Sequence, residues 1–124
     1  MMNKNQALHH FWSQFGLTAY DEASVPKKAV LPYITYEAET DSLGNILTMS
    51  GSLWYRSPSW TAIDAKAQQI ERTLKEHGFW ITRIVGGYLR IYAGEPFAVH
   101  MKEPSDDNIR RIKINIEAEF LSAY

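Results

Sequence analysis

A chain of 124 residues, 45% of them hydrophobic, is long enough for one domain with a real core and short for a second lobe. A formal net charge of −1 gives no general drive toward nucleic acid or an anionic membrane. With no cysteine there is neither a disulfide framework nor thiolate chemistry, which fits assembly in a reducing cytosol.

Asn5 to Phe15 is the first predicted helix. Leu8, Phe11, Trp12 and Phe15 form its apolar stripe and Gly16 stops it. Thr18 to Lys28 reads as a polar connection. Leu31 to Thr40 is a predicted strand, with Ile34, Tyr36 and Ala38 on one face and Thr35, Glu37 and Glu39 on the other. Asp41 to Asn45 has turn composition and returns the chain into a second strand, so residues 31–56 form an antiparallel hairpin. In that second strand Leu47, Met49, Leu53 and Tyr55 alternate with Thr48, Ser50 and Ser52, and Gly51 sits in the apolar row. The period then changes. Trp60, Ile63, Ala67, Ile70 and Leu74 recur at helical spacing, predicting a helix over 59–77. Ser57 or Ser59 is positioned to cap it, Pro58 suits its first turn, and Gly78 ends it.

Phe79 to Val85 and Tyr88 to Tyr92 are two short strands joined at Gly86-Gly87, giving a second hairpin over 79–93. Ala93 to Asn108 reads as a loop, with one short strand around Phe97 to Met101. Ile109 to Leu121 is the clearest strand. Ile112, Ile114, Ile116, Ala118 and Phe120 face one side; Arg111, Lys113, Asn115, Glu117 and Glu119 face the other. Together these elements predict a single α+β domain, a mainly antiparallel sheet of about five strands with two helices packed on one face.

Reaction chemistry is hard to find in this pattern. His9, His10, His77 and His100 read as surface histidines, because no His, Asp or Glu spacing resembles a metal-ligand set. Ser105-Asp106-Asp107 after Pro104 reads as a turn or cap. The glutamate rows come without a nucleophile or pocket signature. The expectation is therefore a protein that is not an enzyme and needs no cofactor or metal. The informative excess is aromatic, at 13% of residues. Trp54 falls on the polar face of its strand. It packs under the helix N-terminus or a loop, or it meets a partner. Trp80, Tyr88 and Tyr92 pose the same choice.

Several runs together, FWSQFGLTAYDEASVP, LPYITYE, SLWYRSPSW before the central helix, and PSDDNIRRIKINIEAEF, resemble small structural proteins of long-tailed bacteriophages, most of all the tail terminator (tail-completion) family. The resemblance covers nearly the whole chain and rests on the order of segments. It implies an α+β subunit of a ring, a hexamer, that caps the tail tube and offers the docking surface for the head. It also implies a virion location in tail or neck, assembly in the host cytoplasm, and three partners: other copies of the chain, the tail tube protein and a head-completion protein. No membrane and no specific nucleic acid belong to it. The expected ring contacts are the outer sheet face, with Trp54, Arg111, Lys113, Glu117 and Glu119, and the region of the glycine hairpin and following loop, with Trp80, Tyr88, Tyr92, Phe97 and Met101. The resemblance implies that loop 93–108 reorders on docking. A neck connector, a monomeric protein-binding adaptor, and a small enzyme with a pocket under the helix are the alternatives.

Overall fold

The computed structural model describes residues 1–38 and 46–122. The turn expected at Asp41 to Asn45, together with Glu39 and Thr40, lies outside the described residues. Helix α1 covers Lys4–Ser13 and helix α2 Thr61–Lys75. Six strands, β1 (Thr18–Asp21), β2 (Tyr33–Tyr36), β3 (Ile46–Arg56), β4 (Trp80–Ile84), β5 (Gly87–Met101) and β6 (Ile109–Ser122), form one sheet in the order β1-β2-β3-β6-β5-β4.

The sheet is mixed, which corrects the expectation of a polar connection after the first helix. Thr18–Asp21 is an edge strand, and it pairs in parallel with β2. At four residues it is too short to show a period. The long strands follow the sequence pattern. Ile112, Ile114, Ile116, Ala118 and Phe120 of β6 are buried, and so are Met49 and Leu53 of β3 and Leu89 and Ile91 of β5. Directly paired residues share a face, so these strands present one continuous apolar surface.

Both helices cover that surface. The stripe Ile63, Ala67, Ile70 and Leu74 seats α2 over β3, β5 and β6. Ala7, Leu8, Phe11 and Trp12 seat α1, which touches both β1 and β4. Those strands are the two edges of the sheet, so the sheet must curl around α1. Lys66 Nζ donates to the Phe15 carbonyl at 2.6 Å and ties α2 to the end of the first helical segment.

Local chemistry sets the helix starts. Asn3 caps α1 in a capping box with Gln6, so the helix begins at Lys4, one residue before the expected Asn5, and ends at Ser13 rather than Phe15. Neither Ser57 nor Ser59 caps α2. Each hydroxyl accepts from the amide two residues on, at Ser59 and Thr61, and Trp60 occupies the cap position without a side-chain bond.

The region 93–108 is mostly strand rather than loop. β5 continues to Met101, and its pairing with β6 shifts register between Ala93 and Ala98. Gly94 and Pro96, which read as loop punctuation, mark a bulge instead. There the Asn115 side chain donates to the Pro96 carbonyl at 2.8 Å. The turn proper follows Met101. Asp106 accepts from the Asn108 amide at 2.9 Å and from Arg56 at 2.8 Å. The amide first, and then the guanidinium, hold its carboxyl below the usual value of 3.8. A lowered carboxyl contributes stability that is present at neutral pH and lost as pH falls through the lowered value. The stability gap between the native protein and Asp106→Asn should therefore shrink as pH falls below about 5, as read by urea unfolding at each pH. A constant gap would remove Asp106 from the acid response.

Candidate functional site

The face of the sheet opposite the helices carries the exposed chemistry. Cross-strand pairing arranges it in rows. Tyr33, Trp54, Arg111 and Met101 form one row; Thr35, Ser52, Lys113 and Val99 form the next. A middle row holds Glu37, Ser50 and Asn115, with the Glu37 carboxylate accepting from both the amide and the hydroxyl of Ser50. Beyond it come Thr48, Glu117 and Tyr92, then Ile46, Glu119, Arg90 and Ile81, and finally Leu121, Tyr88 and Arg83. Among the described residues no helix lies on this face.

Trp54 organises the first end. Its indole N–H donates to Thr35 Oγ1 at 2.9 Å. The Arg111 guanidinium lies 4.7 Å over its ring, while Arg111 Nε donates to Ser52 Oγ at 3.1 Å. Among the described residues Thr35 and Ser52 are the buried polar ones, and this roof of indole and guanidinium both covers and satisfies them. Trp54→Phe removes the donor and leaves the Thr35 hydroxyl short of a partner, an expected cost of about 1–2 kcal/mol in urea unfolding. An unchanged midpoint would mean that the bond contributes nothing.

At the other end Arg90 joins Glu119 through two bonds, at 2.7 Å and 3.2 Å. The bond to Glu119 comes first among the causes that raise its guanidinium pKa further. The same guanidinium lies 5.2 Å over Phe79 and 5.3 Å over Tyr92. One end of the face is thus basic and aromatic, and the other sets Glu117 and Glu119 beside Arg90 and Arg83, with two tyrosines.

Of the ten residues expected at a partner surface, the structure brings eight to this face: Trp54, Tyr88, Tyr92, Met101, Arg111, Lys113, Glu117 and Glu119. Two are elsewhere, and packing within the chain accounts for both rings. Trp80 turns to the helix side and meets Phe11 edge-on at 5.2 Å. Phe97 turns inward at the bulge and is 9% exposed. Arg90, Ile46, Tyr33 and Val99 belong to the face as well. Alternation puts Tyr33 with Thr35, Ile46 with Thr48 and Arg90 between Tyr88 and Tyr92; which of them meet across strands depends on the register, which the sequence leaves open.

A second cluster lies on the helix side. His100 stacks on Trp60 at 3.7 Å, and its Nε2 is 2.7 Å from an Asp64 oxygen. The Arg110 guanidinium lies 5.4 Å from the centre of the Trp60 ring and donates to the Pro58 and Asp107 carbonyls. These bonds fasten the start of α2 to the β5–β6 turn. The adjoining groove, about 360 Å³, is lined by Asp64, Glu71, Phe97, His100 and Ile112, among others. No group of three or more His, Cys, Asp or Glu side chains among the described residues could hold a metal ion. No described helix is long and apolar enough to cross a membrane.

No protein-family model matches the chain. No curated protein sequence matches it either. Its fold is similar to that of a chain in a solved structure, the virion of a native gene transfer agent particle, with a TM-score of 0.57. The likeness covers 87% of this chain and 81% of that chain at 15% sequence identity, so what the two share is the fold.

Proposed function

We propose that the protein is a structural component of a phage-like virion, and within that class a tail terminator. The observation that carries the first part is the fold shared with a chain of a gene transfer agent virion over most of both chains. The terminator role rests on the sequence resemblance. In this reading the protein has no catalytic activity and no cofactor. Copies close into a ring, a hexamer, on the end of a finished tail tube, and the ring then receives the head through a head-completion protein.

A ring needs two different patches on each subunit. The long outer face of β6 suits one. The other is the strip from the glycine turn through β5 to the turn after Met101, which carries Tyr88, Tyr92 and Met101. A curled sheet, long strands and a broad face of mixed charge left open by the helices suit a ring subunit.

Removal of the gene from the particle's own genome tests this. The expected result is tail tubes of unregulated length and heads left unjoined, both restored when the protein is supplied. Tubes of normal length that lack heads would move the protein to the neck connector. Normal particles would overturn the virion reading.

A further inference from the structure

The charges along β6 are antisymmetric. Arg111 and Lys113 lie on one side of Asn115, and Glu117 and Glu119 lie at the same distances on the other side. Asn115 pairs with Ser50. On β3 the positions equidistant from Ser50 on the same face are Trp54 and Ile46. Trp54 is half-buried, and Ile46 is exposed at 59%. A two-fold axis in the plane of the face, running across the strands through Ser50 and Asn115, reverses strand direction and keeps each strand over its own copy. It sets Lys113 against Glu117 of the second copy and Trp54 against the second copy's Ile46.

The geometry points to a second copy of this chain as the occupant of the open face, held in an isologous, antiparallel pair about that axis. Charge complementarity along β6 argues for this partner, while Glu37, which shares the axis row with Ser50 and Asn115, meets the second copy's Glu37 with its carboxylate bonded to Ser50. The ion pairs among the described residues are Arg56–Asp106, Lys75–Glu71, Arg90–Glu119 and His100–Asp64. Lys113 and Glu117 are in none of them. Turning the second copy about the strand axis instead would put Lys113 on Lys113 and Glu117 on Glu117, so the pattern selects one orientation. The same operation brings the exposed Ile46 to the cluster of Trp54 indole and Arg111 guanidinium, a contact beside the charged pairs.

The area sets the strength. From Arg111 to Glu119 the face is about 26 Å long, and across the central strands about 15 Å wide, a footprint on the order of 400 Å². Stable complexes use roughly 800 Å² per partner. The pair is therefore weak, concentration-dependent and favoured by low salt. This pairing does not depend on the virion reading. In a ring subunit it competes for the same face, so it belongs to the free protein and has to open before assembly.

The test is sedimentation equilibrium of the full chain over a range of concentration and salt. The native protein should approach two subunits at high concentration and low salt. Lys113→Glu and Glu117→Lys should each weaken the pair by about tenfold or more. The double variant Lys113→Glu/Glu117→Lys keeps the antisymmetry with the signs exchanged and should pair again. An equimolar mixture of the two single variants should pair as well, which also excludes misfolding as the cause of their loss. A native protein that stays monomeric, or self-association that ignores the reversals, overturns the inference. So does a double variant as weak as the singles. The gene-removal experiment is unaffected by any of these results.

Discussion

Gly87→Ala is expected to cost the fold about 3 kcal/mol or more, and to cost more than Gly86→Ala beside it. Gly86 is the residue with positive φ, at 84°, yet a Cβ built on it meets nothing within 4 Å. Its penalty is the left-handed backbone alone, about 1–2 kcal/mol. Gly87 has no such backbone. It is the first residue of β5, paired with Ile84 and Ser122, and a Cβ there would lie 1.7 Å from the Leu121 carbonyl oxygen and 2.8 Å from its carbonyl carbon. Those atoms are backbone and cannot rotate away. Relief requires parting β5 from β6 at Tyr88 and Leu121, and β4 is held in the sheet through β5. Ile84, 1% exposed, would open with it. Urea midpoints of the two variants decide the matter. A greater loss in Gly86→Ala would mean that turn geometry, and not strand crowding, demands the glycine pair.

The same pair shows what could and could not be read from the sequence. A Gly-Gly step between two apolar runs announces a hairpin, and there is one. The turn residues, however, are Val85 and Gly86, because the sequence shows a need for small residues without showing which neighbour causes it. Long periods were legible. The stripe of α2 and the alternation of β6 each repeat often enough to outweigh local noise, and Trp54 stands on the polar face where the pattern puts it. Short or interrupted elements were not. β1 has four residues and a parallel partner. β5 contains Gly94 and Pro96, which look like a loop until the bulge lets the strand continue. At the candidate face the charged row of β6 was visible along one strand. Its neighbours were not, because Arg90 beside Glu119 and Ile46 across from it depend on a register that no single strand encodes. Trp80 shows the converse. A large ring near a turn suggests a partner, and α1 turns out to be the surface that receives it.

Trp12→Ala should remove about 3–5 kcal/mol, a large share of the roughly 5–15 kcal/mol that holds a domain together. Trp12 is 1% exposed, stacks on Tyr36 at 6.4 Å and meets Phe11 edge-on at 5.0 Å. Its ring lies on Gly51 of β3, where a Cβ would come within 2.8 Å of Cη2 and 3.0 Å of the Thr35 carbonyl oxygen. The helix can approach the sheet this closely because the strand offers no side chain at that point. Gly51→Ala alone should therefore cost about 1–3 kcal/mol through crowding, although alanine is normally better than glycine inside a strand by roughly 0.5–1 kcal/mol. Shortening the ring should reverse the sign. In a Trp12→Leu background the contact with Cη2 is gone, and Gly51→Ala should become neutral or stabilising, with the Thr35 oxygen as the remaining close neighbour. Urea unfolding of the native protein, the two single variants and the double variant gives the coupling directly. A coupling above about 0.5 kcal/mol in the compensating direction places the ring on the glycine. Additive costs would mean that Trp12 is buried by its helix neighbours alone and that β3 could carry any small residue at position 51.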